Sequence, residues 1–77
     1  MSIYKLQGEK GEIMTTALPS GDMAVSSPRA GPLEQIVFDI CRWDGHRAPT
    51  YGGWIIPMNK VGAVKAKLAE KCTLVAK

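Results

Sequence analysis

Leu33-Glu34-Gln35-Ile36-Val37-Phe38-Asp39-Ile40-Cys41-Arg42-Trp43 follows Pro32 and is closed by Asp44-Gly45. Leu33, Ile36, Val37, Ile40 and Cys41 fall at i, i+3, i+4, i+7 and i+8, the spacing of a helix face turned toward a core. Pro32 suits the first helical position, where its missing N–H and fixed φ cost nothing. Gly45 predicts a left-handed residue just past the helix end. A helix with one apolar face must bury it against a second layer, and the flanking sequence offers strands for that layer.

On the N-terminal side, residues 3–7 read as a strand and Gly8-Glu9-Lys10-Gly11 as a turn. Residues 12–18 read as the returning strand, rich in β-branched and apolar side chains. Pro19-Ser20-Gly21-Asp22 is a second turn, and Met23-Ala24-Val25-Ser26 a short third strand. The first 27 residues thus read as a hairpin or meander. Residues 26–32 are dense in helix and strand breakers. On the C-terminal side, His46 to Thr50 reads as a polar loop and residues 51–56 as a strand ended by Pro57. Gly52 and Gly53 in that strand suggest a bulge or the close approach of another backbone. Asn59 is read as the N-cap of a second helix, about Lys60 to Lys71, with Val61, Val64, Leu68 and Cys72 as its apolar stripe. Thr73 to Ala76 suits a last edge strand. The expected fold is α+β: a β-hairpin or meander over 1–27, then an α-β-α-(β) unit over 33–77. The helices pack on one face of a small, mostly antiparallel sheet, in a single domain spanning 1–77.

The chain has 77 residues, 45% of them hydrophobic, with five aromatics. A chain of this size buries roughly 60% of its unfolded surface and is marginally stable, so a homodimer is a further way to cover apolar area. So thin a core leaves little room for an enclosed substrate pocket. The N-terminus lacks the pattern of a signal peptide, and two cysteines are too few for a disulfide framework. The expected compartment is the reducing cytoplasm. Residues 1–39 carry three basic against five acidic side chains, a net of −2; residues 40–77 carry seven against two, a net of +5. Such asymmetry points to a polyanionic or acidic partner.

No phosphate-binding glycine loop and no nucleophile elbow occur, and Cys41, Cys72 and His46 lack the spacing of a zinc site. Both cysteines are expected in the core, where a thiol has no reason to ionise. The expected protein is therefore neither an enzyme nor a metal or cofactor binder. Arg42 to Trp54 concentrates two Trp, one Tyr, two Arg and the lone His within thirteen residues. Bases stack on aromatic rings and guanidinium groups neutralise phosphates, so this mixture suits single-stranded nucleic acid. Trp54 shares a strand face with Gly52 and Ile56 and is expected in the core, leaving Trp43 and Tyr51 as stacking candidates. On an ideal helix Lys60, Lys67 and Lys71 project within about 40° of one another, a row able to track phosphates.

From Asp22 onward, the order of elements, with Trp43-Asp44, Trp54-Ile55-Ile56-Pro57 and the helix beginning near Asn59, resembles the HARP domain of annealing helicases. It is similar as well to other small modules attached to helicases. The resemblance implies DNA binding, with preference for single-strand/duplex junctions, and no catalysis by the module. In that family an aromatic-Asp-Pro group and charged residues precede the tryptophan, where this chain has Tyr51-Gly52-Gly53. Two functions follow as expectations. One is a small nucleic-acid-binding accessory protein using Arg42, Trp43, Arg47, Tyr51, Lys60, Lys67 and Lys71. The other is a protein-binding inhibitor or adaptor, encoded by a phage or mobile element, that meets an acidic protein surface.

Overall fold

The computed structural model describes residues 2–29, 31–51 and 53–76, and of Tyr51 and Ala76 the backbone. The strands are β1 (Ser2–Lys5), β2 (Ile13–Ala17), β3 (Met23–Ser26), β4 (His46–Ala48), β5 (Gly53–Ile56) and β6 (Thr73–Ala76). The helices are α1 (Pro32–Asp44) and α2 (Val61–Lys71), with 3₁₀ turns at Pro49–Tyr51 and Met58–Lys60. The strands form one sheet in the order β4-β5-β3-β2-β1-β6, with every neighbouring pair antiparallel. The meander therefore occupies the middle. The C-terminal half wraps it, α1 leading across to β4 and β5 on one side and α2 leading back to β6 on the other.

Both helices cover the same face. Tyr4, Ile13, Met23, Val25, Trp54 and Ile56 are in register across that face, as strand alternation requires. They form one buried cluster with Leu33, Val37, Ile40 and Cys41 of α1 and with Val64, Leu68 and Cys72. The apolar stripes expected from spacing are the ones buried, with Ile36 and Val61 packed at the margin. The opposite face bears Ile3, Met14, Thr16, Ala24 and Ile55, and among the described residues both helices pack on the other side.

Several local expectations are corrected. Gly45 is not left-handed: its backbone is extended (φ −141°, ψ −170°), a conformation any residue adopts. Glycine is required there for space, because a Cβ would stand 2.5 Å from Ile56 Cδ1 and 2.6 Å from the Ile55 carbonyl oxygen. The segment 46–48 is a strand rather than a loop, since β5 offers it a free edge. Consequently β5 begins at Gly53, two residues later than expected. Asn59 does not cap α2; it lies inside the 3₁₀ turn, and Lys60 stands at the cap position without a side-chain bond. The turn is anchored instead by Asp22, whose Oδ1 accepts the Met58 N–H at 3.0 Å. The expected close approach of backbone at the paired glycines holds at Gly53, where a Cβ would collide with the Val25 carbonyl oxygen of β3. Gly52 lies outside the described residues.

Two glycine substitutions test this packing in opposite directions. Gly53→Ala puts a methyl against backbone that cannot move without breaking the β3–β5 ladder. It is expected to cost about 3 kcal/mol, the upper end of overpacking, and to lower Tm by roughly 4–8 °C per kcal/mol. Gly62→Ala in α2 meets nothing within 4 Å and is expected to raise Tm slightly, by about 0.5 kcal/mol of helix propensity. Thermal melts of the two variants beside the parent check both.

Candidate nucleic-acid interface

The aromatic and arginine residues gather where the helix-covered face reaches the β4 edge. Trp54 of β5 is buried, its neighbours across the sheet being Val25 on one side and Arg47 of β4 on the other. Because directly paired residues share a face, Arg47 lies beside the indole, and its Cζ stands 5.3 Å from the ring centroid. Phe38 of α1 meets Trp54 edge to face, with centroids 5.9 Å apart and planes at 66°. One helical turn on, Arg42 lies over Phe38 at 5.2 Å and over Trp43 at 4.6 Å. Rings and guanidinium groups thus run in the order Trp43, Arg42, Phe38, Trp54, Arg47, each contact within the range of a cation–π or aromatic pair. At the outer end Trp43 is 76% exposed.

Beside Trp54 the surface opens into a cleft of about 330 Å³, lined among others by Arg29, Glu34, Arg47, Pro49 and Trp54. The array and the cleft therefore share Arg47 and Trp54.

Of the residues expected to bind, Arg42, Trp43 and Arg47 belong to this array. Lys67 is close to it but engaged: its Nζ donates to Asp44 Oδ2 at 3.3 Å, joining α2 to the end of α1. The pair is solvent-facing on the lysine side and contributes at most about 1 kcal/mol. Lys71 is exposed on the last turn of α2, whereas Lys60 ends the 3₁₀ turn and so falls outside the α-helical row. The Tyr51 side chain lies outside the described residues. Trp43 and Asp44 are the last residues of α1. Phe38 and Arg29 were missed. Phe38 carried a signal, as a large aromatic off the apolar stripe and four residues before Arg42. Arg29 carried none, because the cleft it lines is completed by Arg47, Pro49 and Trp54, distant in sequence.

The cysteines make no reactive site. Cys41 is wholly buried, and its thiol is pushed up to about 12, chiefly by burial, with Asp44 acting in the same direction and Lys67 against it. His46 alternates with Arg47 on β4 and so points to the other face of the sheet. Among the described residues no group of metal-ligating side chains occurs, and no helix is long and apolar enough to cross a membrane. No protein-family model, curated protein or solved structure matches the chain.

The buried thiol makes stability depend on alkaline pH. Its folded pKa is raised above the unfolded value near 9.0, so its contribution is complete below pH 9 and is lost as pH rises toward about 12. Burial raises Cys72 and Tyr4 in the same sense. Urea midpoints are expected to hold steady up to pH 9 and to fall above it. Cys41→Ala, though less stable at pH 7, is expected to show a shallower alkaline fall.

Proposed function

We propose that this protein binds single-stranded nucleic acid, bases stacking on Trp43 and phosphates meeting Arg42, Arg47 and Lys71. The observation that carries the reading is the array itself, in which an indole 76% exposed rests on a guanidinium. Leaving Trp43 in water adds little to folding, since its ring is outside the core cluster. What it does offer is a flat π-surface, held in place by Arg42 and flanked by positive charge. Base stacking of this kind is sequence-tolerant, because every base has a π-face. The excess of basic residues after position 40 supports the same reading. So does the resemblance to the HARP domain, whose expected role is binding to DNA without catalysis. Within this reading Lys60 lies apart from the stacking surface, and Lys67 contributes by holding Asp44.

A second reading, binding to a protein partner as an inhibitor or adaptor, is favoured by β6. This is an edge strand with Leu74 and Val75 exposed, of the kind that pairs with an added strand.

Fluorescence anisotropy with a labelled oligothymidylate at two salt concentrations tests the first reading. Binding is expected to weaken as salt rises. Trp43→Ala is expected to weaken it roughly 5- to 100-fold, with no loss of thermal stability. Lys71→Ala is expected to flatten the salt slope by about 0.7. Absence of binding at low salt removes the proposal, and a stoichiometric protein partner that survives nuclease treatment favours the second reading.

A further inference from the structure

We infer that the cleft beside Trp54 is a base-selective pocket, and that the base it takes is guanine, read by Glu34. This rests on the single-strand reading above and deepens it. The cleft, about 330 Å³, is large enough for one nucleobase with part of its sugar-phosphate. Its walls include Pro28 and Pro49, with the buried Trp54 beneath the Arg47 guanidinium. Its polar groups are Glu34 and two arginines from separate elements, Arg29 before α1 and Arg47 on β4.

Glu34 gives the pocket its selectivity. It sits half-buried in the first turn of α1, and the ion pair formed among the described residues is that of Lys67 with Asp44, leaving Glu34 without one. Neither Arg29 nor Arg47 comes within 4.0 Å of its carboxylate, although all three line the same cleft. No hydrogen bond to its side chain occurs among the described residues. Among the described residues neither carboxylate oxygen has a donor, and a carboxylate presents its two acceptors side by side.

Only guanine matches that pair. Its Watson–Crick edge carries N1–H and N2–H donors next to each other, and in a single strand that edge is free. Adenine and cytosine offer one amino donor beside an acceptor nitrogen. Thymine and uracil offer one N–H between two carbonyl oxygens, both repelled by a carboxylate. Arg29 and Arg47 then meet the phosphates on either side of the bound base.

The test uses labelled oligothymidylates carrying one central dG, dA, dC or dT, titrated with the full chain and with Glu34→Gln at low salt. The parent is expected to bind the dG oligomer about tenfold tighter than the others. Glu34→Gln is expected to lose that preference while binding all-dT no more weakly, since a negative charge has been removed. Equal affinity of the parent for all four, with Trp43→Ala still weakening each, overturns the pocket and leaves the stacking reading standing. A dG preference that persists in Glu34→Gln overturns the role of Glu34. Failure to bind any oligomer removes both.

Discussion

Strand β5 runs so close to β3 that no side chain fits at Gly53, whose position faces the Val25 carbonyl oxygen. The rest of the architecture depends on this contact. It joins the C-terminal half to the β3 edge of the meander, supplies Trp54 and Ile56 to the core opposite Val25 and Met23, and gives β4 an edge to pair with. At the other end of β5 the same crowding recurs, where Gly45 passes Ile55 and Ile56. Two residues without Cβ atoms let α1 turn back onto the sheet without a longer loop. The marginal stability of a short chain makes such economy of connection important, because each ordered loop residue costs conformational entropy of about 1–2 kcal/mol.

Trp54 belongs to two systems at once. One side of its ring closes the core, and the other is bordered by Phe38 and Arg47. A surface array built on a core residue inherits the rigidity of the core, whereas a row of lysines on a helix does not. The guanidinium groups are held over aromatic faces and lose less side-chain entropy on meeting a ligand than free side chains would. The difference separates Arg42 and Arg47, which are positioned, from Lys60 and Lys71, which are not.

What the sequence made legible was whatever depends on short-range spacing. The stripe from Leu33 to Cys41, the strand at 23–26, the strand at 73–76 and the burial of both cysteines all follow from periodicity and side-chain character. His46-Arg47-Ala48 has no apolar alternation and is a strand only because a neighbour completes its hydrogen bonds. Gly45 does follow the end of α1, but the constraint on it is steric rather than conformational and comes from β5, ten residues on. The same limit applies to the site. Local clustering exposed Arg42, Trp43 and Arg47, while the bond from Lys67 to Asp44 and the placing of Arg29 and Arg47 on one cleft arise from the crossover of α1. No pattern within a window of neighbouring residues encodes them.

The outermost pairing of the sheet, β6 against β1, has a mechanical consequence. Ile3 lies opposite Ala76 and Lys5 opposite Thr73, so both ends of the described chain leave the sheet at the same corner. A force drawing those ends apart acts along the hydrogen bonds and not along the strands, and it opens the pair rung by rung, as a zipper opens. Strands loaded lengthwise would have to break all their rungs together. The β1–β6 seam thus peels under tension applied at Ser2 and Ala76, while the β3–β5 contact in the interior of the sheet bears none of that load until the seam has parted.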